Sequence, residues 1–194
     1  TGMLTEIRRN SGAIVEGCAR IKDGEKPIVY TKGNLEEGKN LVHVDCGMDT
    51  KERVAWVARV LSKIHSDGVY DRVWDVQVLT ATNKARKQFN EMMQDGLNPM
   101  AVGEKQINPA FRVGDKVICL KNTKAKCVQF TGSDARLARN PDNWKSLPDQ
   151  AYVANGDLGR VIAVRATGAI VQFFNPPRIV SIVTEKPKRN ADGE

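Results

Sequence analysis

The chain has 194 residues, of which 41% are hydrophobic and 27% charged. That length fits one domain, or one domain with a smaller companion, and that composition fits a globular chain and excludes a disordered one. No apolar run approaches the roughly 20 residues that a membrane-spanning helix needs. The formal net charge of +7 is uneven. Residues 1–100 hold 15 Lys and Arg against 14 Asp and Glu, whereas residues 101–194 hold 15 against 9. A basic surplus confined to one half points to nucleic acid or another polyanion, with a solvated basic surface as the plain alternative.

The chain opens on Thr1-Gly2-Met3, which reads as an internal cut or tag scar, so a fragment is expected. Leu4-Thr5-Glu6-Ile7 is a short strand candidate, and Ile14, Val15, Cys18 and Ile21 then fall on one helical face until Gly24 and Pro27 end the pattern. Gly33 to Lys39 spells G-x-x-x-x-G-K, but Asn40 stands where a phosphate-binding loop needs Ser or Thr, and a strand follows in place of a helix. Glu36 and Glu37 would repel the anion, and the motif is rejected.

Leu41-Val42-His43-Val44 reads as a buried strand, and Asp49-x-x-Glu52 as the capping box of a helix with Val54, Val57, Ala58, Leu61 and Ile64 inward. Val76-Gln77-Val78-Leu79 is a third strand, leading through Thr80-Ala81-Thr82 into a helix that carries Phe89, Met92 and Met93. Three strand-then-helix units predict a parallel α/β sheet with helices packed on it.

After about residue 110 the pattern turns to strands and turns. Lys116–Leu120, Leu158–Val164, Ala169–Phe174 and Ile179–Val183 are strand candidates, separated by Asn155-Gly156-Asp157, Thr167-Gly168 and Asn175-Pro176-Pro177. They predict a small antiparallel barrel. Residues 122–152, polar and containing Gly132, Pro141, Pro148 and Trp144, read as an irregular insertion, either a binding loop or a flexible one. The charged segment 185–194 is expected to be a disordered tail. Cys18, Cys46, Cys119 and Cys127 form no C-x-x-C pair and only His43 and His65 could assist them, so no zinc site is expected. Cys18 and Cys119 read as small buried hydrophobes, which with no evident secretory signal suggests a cytoplasmic protein.

Four segments carry a family resemblance. Leu4-Thr5-Glu6-Ile7-Arg8-Arg9-Asn10 resembles the opening of the second RecA-like domain of RecD-like ATP-dependent DNA helicases, relatives of the exodeoxyribonuclease V alpha subunit. Val78-Leu79-Thr80-Ala81-Thr82-Asn83-Lys84 is similar to a later strand-to-helix junction of that domain. Phe111-Arg112-Val113-Gly114-Asp115-Lys116-Val117 and Asn155-Gly156-Asp157-Leu158-Gly159-Arg160-Val161 are similar to signatures of the small barrel, of Src-homology-3 type, inserted into it. The resemblance implies a RecA-like domain at residues 1–108, a barrel at 109–184, and 5'-3' translocation on single-stranded DNA in the parent protein. It implies ATP and Mg2+ bound by the parent, not by this fragment, and a missing first RecA-like domain as the partner across the ATP cleft. Arg9 is the position implied to reach the γ-phosphate, a role that suits a guanidinium.

Thr80, Thr82, Asn83 and Lys84 are candidate DNA-phosphate contacts, although Thr82 or Asn83 could equally cap the helix. Lys116, Lys121, Arg160 and Arg165 are candidate phosphate contacts on the barrel, and Phe173 or Phe174 candidate base-stacking rings, of which alternation sends one into the core. A plain nucleic-acid-binding module, or a domain that binds protein through 122–152, are the rival expectations.

Overall fold

The computed structural model describes residues 12–33, 37–47, 49–71 and 73–184. Arg9, the strand expected at 4–7 and the tail at 185–194 lie outside them. The chain divides into two compact units that meet between Val60 and Leu61.

In the first unit, helix α1 (Ala13–Lys22) buries Ala13 and Gly17, one turn apart, not the face expected from Ile14, Val15, Cys18 and Ile21. Gly17 sets that rotation, because a Cβ on it would lie 3.0 Å from Leu41 Cδ2 and 3.4 Å from Pro27 Cβ. Cys18 is exposed. The rejected G-x-x-x-x-G-K loop closes the start of this helix: Ala13 N donates to Gly38 O at 2.9 Å and Ile14 N to Asn40 Oδ1 at 3.2 Å. The loop thus offers oxygen atoms to helix N–H groups, the reverse of a phosphate cradle.

Helix α2 (Thr50–Asp67) starts where Asp49 Oδ1 accepts from Lys51 N at 3.0 Å, and α3 (Asn83–Leu97) where Thr82 caps it. The helices therefore stand where periodicity puts them, yet the parallel sheet does not form among the described residues. Val42 makes one isolated parallel bridge, to Tyr30, and Val76–Leu79 has no strand partner. Val42 and Leu79 are 44% and 84% exposed. A four-residue apolar run establishes extended backbone, but only a neighbouring strand makes it a sheet. The RecA-like α/β expectation is overturned: the fold is mostly β.

The second unit holds one antiparallel sheet of six strands, β1 (Lys116–Ile118), β2 (Thr123–Phe130), β3 (Trp144–Val153), β4 (Leu158–Arg165), β5 (Gly168–Phe174) and β6 (Pro177–Val183). Their order is β1-β4-β5-β6-β2-β3, and the two outer strands do not pair, so the sheet is open and not the expected closed barrel. Residues 122–152, expected to be irregular, supply two of its longest strands. Pro148 is tolerated there because β3 is an edge strand, where a missing N–H need not break a second ladder.

The core lies on both sheet faces. Val153, Val161, Val171, Phe173 and Val180 pack on one, and Val128, Trp144, Ala163 and Ile170 on the other. Gly168 and Gly159 let strands approach closely. A Cβ on Gly168 would fall 2.0 Å from Ile182 O, and one on Gly159 2.7 Å from Val171 Cγ1. Buried Asn108 fastens the entry segment by donating to Arg165 O at 3.1 Å and accepting from Ala110 N at 2.9 Å.

The two barrel-like signatures are fold-building. Asp115 accepts from Asn98 Nδ2 at 2.8 Å and from Arg112 N at 2.7 Å, joining the Gly114 turn to the end of α3. Asp157 accepts from Ala154 N at 2.7 Å and pairs with the Arg178 guanidinium, closing the turn in which Gly156 has φ +93°.

Candidate nucleic-acid interface

Thr123-Lys124-Ala125-Lys126-Cys127-Val128 alternates basic and apolar residues, and a strand sends alternate side chains to opposite faces. Ala125 accordingly goes into the core at 7% exposure while Lys124 and Lys126 stand in solvent. Register places Lys124 opposite Tyr152, and Lys126 opposite Gln150 on one side and Ser181 on the other. Directly paired residues share a face with Cβ atoms about 4.5–5.5 Å apart. The result is a patch of two ammonium groups, a 55%-exposed tyrosine ring and two hydrogen-bonding side chains.

Neither lysine makes an ion pair among the described residues, and β2 lies between β6 and β3. Lysines on an outer strand commonly protect an edge from pairing; Lys126 instead has partners on both sides, in β3 and in β6. Around them, residues 121–145 carry six Lys and Arg against two Asp, and all six basic side chains are exposed. With Asp149 of β3 counted, residues 121–153 hold six Lys and Arg against three Asp, about half of the charge surplus of the second half.

The residues singled out by sequence are placed differently. Thr82 Oγ1 accepts from Ala85 N at 3.2 Å as the N-cap of α3, Thr80 Oγ1 donates to Thr82 O at 3.3 Å, and Asn83 and Lys84 are exposed in the first turn. Lys116 and Arg160 are cross-strand partners, and Arg160, also opposite Gln172, is exposed. The Lys116 ammonium instead donates to the carbonyls of Val73, Trp74 and Val76 at 2.8, 3.2 and 3.1 Å and lies 5.8 Å from the Trp74 ring centre. Three acceptors use all three of its donors. Burial pushes its pKa below the usual lysine range, against the opposing pull of Asp75 and Asp71.

Arg165 donates to Pro141 O at 3.0 Å, bracing the β2–β3 connection. Phe173 is 3% exposed beneath the Arg178 guanidinium and offers no ring face to a base. Phe174, 44% exposed, meets Trp74 edge-on at 5.4 Å. Lys121 is exposed.

The structure brings Lys116, Arg160 and Phe174 to one region, and the candidates chosen from sequence do not include Lys124, Lys126 and Tyr152. The signal for the lysines is the period-2 alternation at 123–128. Among the described residues no cluster of His, Cys, Asp and Glu could hold a metal ion, and no helix is long and apolar enough to cross a membrane. Comparison of the chain with protein-family models, with curated proteins and with solved structures finds no match.

Proposed function

We propose that the chain is a single-stranded nucleic-acid-binding module that works through the Lys124, Lys126 and Tyr152 face of its antiparallel sheet. The observation that carries this reading is the pair of exposed β2 lysines, without an ion pair among the described residues, beside an exposed aromatic ring. Such a surface joins the two terms of sequence-tolerant strand binding: cations that neutralise backbone phosphates, and a ring on which a base stacks. Of the helicase expectation this keeps the strand-holding half. The ATP-coupled half rests on Arg9, outside the described residues, and on a parallel sheet that those residues do not form.

The test is fluorescence anisotropy of a labelled oligo-dT titrated with the whole chain across a salt series. Log K should fall linearly with log salt, by about 0.7 per phosphate contacted. The variant K124A/K126A should flatten that slope by about 1.4. Tyr152→Ala should leave the slope alone and weaken binding by about 1–3 kcal/mol, the worth of one stacked base. Absence of binding even at low salt refutes the proposal and turns the basic face into a protein-contact surface or plain solvated charge.

A further inference from the structure

Strands β2 and β3 pair from Thr123 opposite Val153 to Phe130 opposite Trp144, yet residues 131–143 lie between them. About 2–5 residues suffice to connect such a hairpin, and longer connections are commonly functional. Here the excess chain folds into two short 3-10 helices, Ala135–Arg139 and Pro141–Asn143.

They are firmly tied. Thr131 N and Oγ1 both donate to Asn143 O, at 2.8 and 3.0 Å, and close the base of the excursion. Asn143 Nδ2 donates to Leu137 O at 3.0 Å, and the buried Trp144 indole to Ala138 O at 2.8 Å. Arg165 reaches Pro141 O from β4 at 3.0 Å. Asp134 starts the first helix by accepting from Arg136 N at 2.8 Å.

What this scaffold presents is Arg136 and Arg139. A 3-10 helix has about 3.0 residues per turn and a rise of about 2.0 Å, so positions i and i+3 project from one side about 6 Å apart along the axis. Both side chains are exposed, and neither makes a hydrogen bond or ion pair through its guanidinium among the described residues. Arg160 on β4 is likewise exposed, whereas Arg112 is held by Asp95 and Asn98 O, Arg165 by Pro141 O, and Arg178 by Asp157.

We infer that the Ala135–Arg139 turn is a second phosphate-gripping element, in which Arg136 and Arg139 take successive phosphates of the strand bound at the sheet. The inference rests on the proposed nucleic-acid reading and adds a separate site to it. A planar fork matches phosphate oxygens in pairs, and holding it on a tied turn lowers the ordering cost of binding. The excursion thus acts as a rigid prong, where the sequence left a choice between a binding loop and a flexible insertion.

The experiment uses the whole chain, labelled oligo-dT and a salt series, comparing wild type, R136Q/R139Q, each single Gln variant and R136K/R139K. The double Gln variant should lose about 1.4 from the salt slope and bind about 25-fold more weakly at 0.1 M salt, with each single variant losing about half the slope change. The Lys pair keeps the charge, so its slope should match wild type. Should the double variant misfold by circular dichroism, the singles carry the test. A Gln-variant slope equal to wild type, while K124A/K126A still lowers it, overturns the prong and leaves the sheet face standing. Failure of wild type to bind overturns both.

Discussion

Replacing Asp157 with alanine removes a carboxylate that Arg178 depends on, and its cost can be worked from the pair's surroundings. The Arg178 side chain is 9% exposed and that of Asp157 20%. The guanidinium lies 5.3 Å from the Phe173 ring centre and also donates to Pro176 O at 2.6 Å, while its Nε has no partner among the described residues. Stripping one partner from a buried pair costs about 3–5 kcal/mol, because the remaining charge is left in a poor solvent. Partial exposure of Asp157 argues for the lower end. The lost turn bond to Ala154 N adds about 1 kcal/mol, giving about 3–4 kcal/mol in all. For a unit of this size that is a fall in Tm of roughly 10 °C. Urea unfolding followed by tryptophan fluorescence, with Trp144 buried as the reporter, measures it. The double variant D157A/R178M, which removes both charges, should recover a substantial part of the loss. A D157A cost below about 1 kcal/mol, or a double variant no better than the single one, would refute the reasoning and make the pair an ordinary surface contact.

Two further outcomes test the sheet. Gly168→Ala should destabilise the second unit by at least about 1–3 kcal/mol, since the added Cβ meets the Ile182 carbonyl oxygen, which is backbone and cannot swing aside; a thermal melt unchanged from wild type would contradict the β5–β6 spacing. Lys116 has a folded-state pKa lowered by burial, so just below the usual lysine range the unfolded chain binds that proton more readily and stability rises with pH. The stability difference between wild type and Lys116→Met should therefore shift in favour of wild type from about pH 8 to about pH 10, read from urea midpoints; a constant difference would mean the ammonium is as well solvated folded as unfolded.

Much of the sheet can be read in the residues because its signals are local. Leu158–Arg165, Gly168–Phe174 and Pro177–Val183 are short apolar runs cut by turn residues, and Gly156 takes the positive φ that its Asn-Gly-Asp setting asks for. Helices α2 and α3 likewise begin beside Asp49 and Thr82, whose side chains accept the first free N–H groups. What was not legible is pairing. Val42 and Val76 to Leu79 look like strands of a parallel sheet, but no described neighbour completes the ladder. Conversely Thr123 pairs with Val153 across a segment whose prolines and polarity read as irregular.

The site divides along the same line. Whether a cation is available to a ligand depends on what else has claimed it, and that claim is legible only when it is local. In β2 the sequence Lys124-Ala125-Lys126 settles the matter by itself: if alanine is inward, both lysines are outward, whatever lies elsewhere in the chain. Lys116 in the three-residue β1 offers no such rule. Its ammonium is taken by the carbonyls of Val73, Trp74 and Val76, some forty residues upstream, and nothing near Lys116 in the chain announces them. Arg165 and Phe173 are absorbed in the same way, by Pro141 O and by the core. Charge asymmetry marks the second half of the chain as basic, and of the residues chosen within it by motif Lys116, Arg165 and Phe173 are taken up by the fold while Lys121 and Arg160 are exposed. On the proposed reading, the exposed cations that bear on a phosphate, with no ion pair among the described residues, include Lys124 and Lys126 on the sheet and Arg136 and Arg139 on the turn beyond it.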